Sequence, residues 1–274
     1  MTFKAACVQL TAGREFAPNI ETASRFIRRA AEEGADFVAL PENCTMIEPV
    51  AAAAVRKAQP EESHPGLAAF REVAAEAGVW LLVGSLSIKL PSGKIANRSL
   101  LIGADGAVAA RYDKLHLFDV NLRDDEWYRE SDTIEPGAEA VSAETPWGTL
   151  GMTVCYDLRF PYLYRSLAQA GASFLTVPSA FTVTTGKAHW HVLLRARAIE
   201  TGCYVIAPAQ WGEHAEGRRT YGHSLIVAPW GEVLADGGEG EGLTFAEIDP
   251  AEVDKARRRV PSLTHDRDFA TPRT

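Results

Sequence analysis

The sequence has no long apolar run. Its longest uncharged stretch lies between Arg165 and Lys187, and Gln169, Pro178 and several Ser and Thr residues interrupt it, which excludes a membrane span. Cysteine is scarce. The four that occur (Cys7, Cys44, Cys155 and Cys203) are widely separated and form no CxxC pair, a pattern that fits reduced thiols in a cytosol and not a disulfide scaffold or a zinc site. Positive charge is also in deficit: a formal net charge of −8 argues against a nucleic-acid surface, which needs a clustered positive field. The basic cluster of Lys255, Arg257, Arg258 and Arg259 reads as a solvated face. The opening MTFKAACVQL lacks the longer apolar stretch of a signal peptide. There is no internal repeat, low-complexity tract or obvious linker.

What is present is the pattern of a sheet covered by helices. A chain of 274 residues can bury a large core, removing about 75% of its unfolded surface from water. Strand-like and helix-like segments alternate. FKAACVQL (3–10) reads as a strand and NIETASRFIRRAAEEG (19–34) as an amphipathic helix. DFVAL (36–40) reads as a short buried strand, LAAFREVAAEAG (67–78) as a helix, and VWLLVGSL (79–86) as the next strand. Hairpins are expected at 98–112, turning on Ala104-Asp105-Gly106, and at 221–236, turning on Pro229-Trp230-Gly231. The expectation is an α/β fold with mixed sheets in a single domain spanning 1–274.

In such sheets functional residues gather beyond the carboxyl ends of the strands. DFVAL runs into PEN and places Glu42 there; GMTV runs into Cys155; SFLTVP (173–178) runs into Ser179. RYDKLHLF (111–118) follows the first hairpin and carries Lys114. Taken singly, each has an ordinary structural explanation: a cap, a solvated amine, a buried thiol. As a set they form a chemistry. A thiol is a weak nucleophile until it loses its proton. A neighbouring ammonium and the N-terminus of the helix beginning near Pro161 favour the thiolate, and a carboxylate can carry the proton. Glu, Lys and Cys therefore suffice as base, oxyanion stabiliser and nucleophile, with no metal or cofactor.

These residues also resemble the nitrilase superfamily of carbon–nitrogen hydrolases. LPEN (40–43), YDKLHLFD (112–119) and VCYDLRFP (154–161) are similar to the three segments that carry that family's Glu–Lys–Cys triad. The resemblance implies a four-layer α-β-β-α sandwich that pairs through its outer helices into a homodimer or a higher homo-oligomer. It implies Glu42 as general base, Lys114 as oxyanion-stabilising cation and Cys155 as nucleophile, with the backbone N–H of Tyr156 as a second oxyanion donor. A second family glutamate corresponds to Glu130, with Glu126 as a rival. Because Glu42 must hold a proton for part of the cycle, its pKa is expected to be raised by burial and by Glu130, against Lys114.

The segment 178–200, with CYVIAPAQWG after it, most resembles the deaminated-glutathione amidase and ω-amidase branches, which act on small carboxylate-bearing amides. N-carbamoyl amine hydrolysis, nitrile hydrolysis, a non-catalytic binding module and a redox-sensing thiol are the alternatives. Arg159 and Thr185 match family positions that hold the carboxylate. Equally, Arg159 could pair with Asp157, and Thr185 could cap the helix that follows. Trp127 and Tyr128 are expected either to line the site or to pack at a subunit contact. His189 and His191 stand two apart on a helix and share no face, so no metal site is expected. His223 is expected to be a hydrogen-bonded structural histidine.

Overall fold

The computed structural model describes residues 1–123 and 126–270. Period-two alternation in the first strand, β1 (Phe3–Gln9), sets the layering. Phe3, Ala5 and Cys7 face one apolar cluster while Ala6 and Val8 face another. Helix α1 (Phe16–Glu32) buries Ala23, Phe26, Ile27 and Ala30, the stripe its periodicity predicts. β2 (Phe37–Ala39) and α2 (Ala51–Lys57) follow, then α3 (Pro65–Ala77), which opens on proline and stops at left-handed Gly78. β3 (Trp80–Lys89), β4 (Ile95–Ile102) and β5 (Val108–Asp113) come next, and a hairpin of β6 (Asp119–Arg123) and β7 (Glu126–Arg129) stands apart.

The second half repeats the plan. β8 (Val141–Thr145), β9 (Gly148–Met152), α4 (Pro161–Gln169), β10 (Phe174–Thr176), α5 (Val183–Thr201) and β11 (Tyr204–Ala207) alternate. A small hairpin of β12 (Trp211–Glu213) and β13 (Arg219–Tyr221) precedes β14 (Leu225–Val227) and β15 (Val233–Asp236). β16 (Gly242–Ile248) and α6 (Ala251–Arg259) close the chain. The two sheets run β16-β1-β2-β3-β4-β5 and β15-β14-β11-β10-β9-β8. In each, three parallel strands sit at the centre with antiparallel strands added.

One apolar cluster joins Phe37, Leu82 and Tyr112 of the first sheet to Met152, Phe174 and Ile226 of the second, so the sheets pack face to face. The other face of the first sheet packs on α1 and α3, and that of the second on α4 and α5. This is the expected four-layer α-β-β-α sandwich with mixed sheets.

Local differences from the sequence expectation matter for the site. β9 ends at Met152, two residues short of Val154, and Cys155 opens a 3₁₀ turn (Cys155–Arg159), while α4 starts at Pro161 as the sequence implied. The cap of α5 is Thr182, not Thr185: its Oγ1 accepts from the Thr185 backbone N–H at 3.3 Å. The second hairpin begins at Leu225, because Tyr221 belongs to β13.

Two features hold the strand ends in place. β3 carries a bulge between Val83 and Leu86, where a Cβ on Gly84 would lie 2.0 Å from the Leu40 carbonyl oxygen. Only glycine lets the chain leading to Glu42 lie this close. The bulge also turns Ser85 so that its Oγ accepts from the Asn43 N–H at 2.8 Å, which holds Asn43 at a φ of 55°. The second feature is the fully buried carboxylate of Asp157. It accepts from the Val154 N–H (2.8 Å), the Tyr112 hydroxyl (2.6 Å) and the His116 N–H (3.0 Å), and His116 Nδ1 lies 2.7 Å away. Burial and the adjacent carboxylate push the Tyr112 phenol up, so it remains a donor. Tyr112 and His116 bracket Lys114, so a side chain of the Cys155 turn clamps the Lys114 loop.

Gly84→Ala should cost about 1–3 kcal/mol of stability, read from the urea midpoint, because backbone must move to admit the methyl group. Asp157→Asn sets an amide donor against existing donors. A comparable loss of about 1–3 kcal/mol is expected, together with a fall in any turnover that depends on Cys155 and Lys114 sharing one site.

Candidate active site

A cavity of about 470 Å³ opens where β2, β5, β9 and β10 end, and Glu42, Lys114, Glu130, Cys155, Tyr156 and Thr185 all contribute to its wall. Three chain segments far apart in sequence meet at one ion cluster. The Lys114 ammonium donates to Glu42 Oε1 at 2.9 Å and to Glu130 Oε1 and Oε2 at 3.0 and 2.9 Å. Lys114 and Glu42 are almost completely buried, at 2% and 3% side-chain exposure, so this is an interior ion pair and not a surface one.

Both carboxylates have further partners. Asn97, on β4, donates to Glu42 at 2.9 Å and to Glu130 at 3.2 Å. The Ala180 N–H, past the end of β10, donates to Glu42 Oε2 at 2.9 Å, and the Phe118 N–H donates to Glu130 at 2.6 Å. The Gln210 amide donates to the Glu42 carbonyl at 2.9 Å and so ties that backbone to the second sheet. The Cys155 thiol and the Glu42 carboxylate share the cavity wall, close enough that each shifts the other's proton affinity. Cys155 itself has a φ of 51°, in the left-handed region that β-carbon-bearing residues avoid, and its N–H donates to the Pro178 carbonyl at 3.0 Å. Such a backbone costs on the order of 1–3 kcal/mol and persists only where its surroundings impose it.

Proton positions follow from these contacts. Burial would raise the Glu42 carboxyl, but the Lys114 charge, the adjacent Cys155 thiol and the hydrogen bonds from Lys114 and Asn97 outweigh it, leaving Glu42 below its ordinary value. This corrects the expectation of a raised carboxyl. Burial and the Glu42 charge push the Cys155 thiol well up, against the opposing effect of Lys114. The thiol is therefore protonated beside an ionised carboxylate: the ammonium favours the thiolate, as the sequence implied, but burial and Glu42 outweigh it. Burial opposes the charge on Lys114, but Glu130 and Glu42 override it and hold the ammonium. A protonated thiol on an ionised acceptor can transfer its proton as it attacks an electrophile, and a fixed ammonium can stabilise the oxyanion that results.

The other expected residues fall differently. Thr185 is buried in the cavity wall. Arg159 is not among the residues lining the cavity. Its guanidinium lies 5.8 Å from the Tyr156 ring centre and 5.6 Å from that of Phe181, with His189 Nδ1 at 3.3 Å. Nor does it pair with Asp157, whose oxygens are already occupied. Trp127 and Tyr128 both line the cavity, and Trp127 is also largely exposed. The side chain of Glu126 lies outside the described residues.

His191 and His223 both reach Asp236, each with a ring nitrogen 3.0 Å from a carboxylate oxygen, away from the cavity wall. The sequence argument from helix faces missed this meeting because the partners come from other elements. Asn97, Asp157, His116 and Arg218 were also missed. HLF, with its histidine two residues after Lys114, offered a weak signal for His116, and the others are ordinary polar residues in strands or loops.

Comparison with known proteins follows the geometry. A family model described as carbon–nitrogen hydrolase matches residues 4–258. The deaminated glutathione amidase of Synechocystis sp. (strain PCC 6803 / GT-S) is 42% identical over 272 residues, covering 96% of this chain and 97% of that protein. The crystal structure of Saccharomyces cerevisiae Nit3, a member of branch 10 of the nitrilase superfamily, superposes with a TM-score of 0.88 at 32% identity, covering 98% of this chain and 97% of that one. A variant of the amidase from Nesterenkonia sp. AN1 carries the acetamide moiety of fluoroacetamide added covalently at its active-site cysteine. It superposes with a TM-score of 0.79 at 26% identity, each chain being 94% covered. Matched along nearly its whole length and built on the same sandwich, the chain belongs to the carbon–nitrogen hydrolase family of the nitrilase superfamily.

Proposed function

We propose that the chain, acting as one domain over 1–274, is a cofactor-free amidase that cleaves the C–N bond of a small carboxylate-bearing amide, with deaminated glutathione as its substrate. The observation that carries this reading is that one thiol and a carboxylate–ammonium ion pair line a single cavity. Support for the substrate comes from the 42% identity to the Synechocystis amidase of that name over nearly the full length of both proteins.

In this mechanism Glu42 takes the proton from the Cys155 thiol as the sulfur bonds to the amide carbon. Lys114 and the Tyr156 N–H receive the charge that develops on the carbonyl oxygen, an interaction whose loss typically costs about 3–4 kcal/mol of transition-state stabilisation. Glu42 then protonates the departing nitrogen, the C–N bond breaks, and a Cys155 thioester remains. Water, deprotonated by Glu42, attacks the thioester. The C–S bond breaks, the carboxylic acid leaves, and the proton returns to Cys155. Glu130 keeps Lys114 charged and in place through both halves. Thr185 and Arg159 are proposed to contact the substrate carboxylates, Arg159 by swinging from its position beside His189.

The exposed apolar residues Tyr162 of α4 and Val192 and Ile199 of α5 support a homodimer formed through these outer helices. Four free cysteines are consistent with a reducing, cytoplasmic setting.

Incubation with a slow amide or ester substrate should yield an acyl adduct that maps by mass spectrometry to Cys155. An adduct on Cys44 or Cys203 with Cys155 unmodified overturns the assignment. Turnover of deaminated glutathione should exceed that of α-ketoglutaramate and of an N-carbamoyl amine by at least about tenfold, near 1.4 kcal/mol. Because the ionised form of Glu42 is the base and its carboxyl lies below the ordinary 4.5, the acid limb of kcat/KM should fall below that pH. The stabilising contacts of ionised Glu42 are complete above 4.5 and are lost as pH falls through the lower folded value. Glu42→Gln should abolish that limb together with most of the activity.

A further inference from the structure

The catalytic cluster sets one ammonium, Lys114, against two carboxylates, Glu42 and Glu130. An anionic substrate approaching such a cluster meets net negative charge. It binds well only if another cation faces the same cavity with bonding capacity to spare. Lys114 is committed to both carboxylates and, in the proposed mechanism, to the oxyanion at the scissile carbonyl, so it is not available to a second, distant carboxylate. Arg129 is spent on the Val120 and Tyr128 carbonyls and on Asn121.

Arg218 differs. It lines the cavity from the segment leading into β13, half-buried, and among the described residues no carboxylate pairs with it. Its guanidinium lies over the Tyr128 ring, 5.7 Å from the centre. Among the described residues its one hydrogen bond is a long one, from Nη2 to the Ala180 carbonyl at 3.4 Å, and its Nε is buried without a partner. Ala180 is also the residue whose N–H holds Glu42 Oε2, so a single residue's backbone joins the base to the guanidinium. A guanidinium offers five donors in a planar fork suited to a carboxylate, and leaving such donors unsatisfied in a partly buried site is costly.

We infer that Arg218 is the cation that receives a substrate carboxylate a few bonds away from the scissile amide, making it a specificity-determining residue that the sequence motifs do not mark. This rests on the reading of the cavity as the site for a carboxylate-bearing amide. It assigns that carboxylate a partner already facing the cavity, whereas Arg159 has to move to reach it. Deaminated glutathione bears a carboxylate at each end of its chain, so the two arginines are not in competition.

The test uses the full chain carrying Cys155→Ser, which cannot turn over, and titrates it calorimetrically with glutarate and with its uncharged counterpart glutaramide. Glutarate should bind more tightly than glutaramide. Arg218→Ala should weaken glutarate by about tenfold to a hundredfold, the loss expected for a charge-assisted hydrogen bond, and so collapse the preference for it. Arg218→Lys should restore part of that preference. Equal weakening of both ligands assigns Arg218 a merely structural role and overturns the inference. So does unchanged glutarate binding in Arg218→Ala, or no preference for glutarate in the parent protein. The substrate reading fails separately: the unmodified enzyme would bind glutarate in the expected way yet leave deaminated glutathione intact.

Discussion

Burying an ammonium is the constraint around which this molecule is organised. Removing Lys114 and Glu42 from water costs several kcal/mol per ion even after relaxation, and their mutual attraction offsets this only if every remaining donor and acceptor is engaged. The surroundings supply donors to both carboxylates through Asn97, the Ala180 N–H and the Phe118 N–H, and Glu130 adds a second counter-charge; they are drawn from both sheets and the loops between them, and among the described residues only Asn97 Oδ1 in this cluster is left buried without a partner. Such a cluster cannot form piecemeal. It requires the sandwich to be closed, and it explains why residues outside the chemistry, such as Gly84 and Asp157, are held so tightly in place.

The same cluster fixes the proton inventory. Two carboxylates around one ammonium keep the ammonium charged, and the ammonium in turn keeps Glu42 ionised despite its burial. A negative neighbour then makes ionisation of the Cys155 thiol harder. The resting site therefore keeps sulfur neutral and carboxylate anionic, with the thiol set beside a group that can accept its proton.

Much of this was legible in the chain. Glu42 and Cys155 stand out as candidates because they follow strands read as parallel, Lys114 because it follows the first hairpin, and short buried strands are easy to see in DFVAL and SFLTVP. The hairpin turn at Ala104-Asp105-Gly106 is read from its residues, and the structure places it between β4 and β5. Legibility failed where contacts are nonlocal. Asp157 looked like a partner for nearby Arg159, but it bonds Tyr112 and His116, more than forty positions upstream. Thr185 looked like a cap, but Thr182 reaches the open N–H first. The helix-face argument separated His189 from His191 correctly and said nothing about His223 or Asp236, which arrive from other elements.

Sequence alone determined the alternation that builds two helix-covered sheets, and it determined which residue types stand at the strand ends, because both follow from local periodicity and turn chemistry. Only the tertiary structure decided how those ends are charged and aimed. Burial depth, the sign of the Glu42 shift, the left-handed backbone at Cys155 and the Arg218 Nε that is buried without a partner among the described residues all depend on distances between segments far apart in the chain, and electrostatic energy in a low-dielectric interior is governed by those distances.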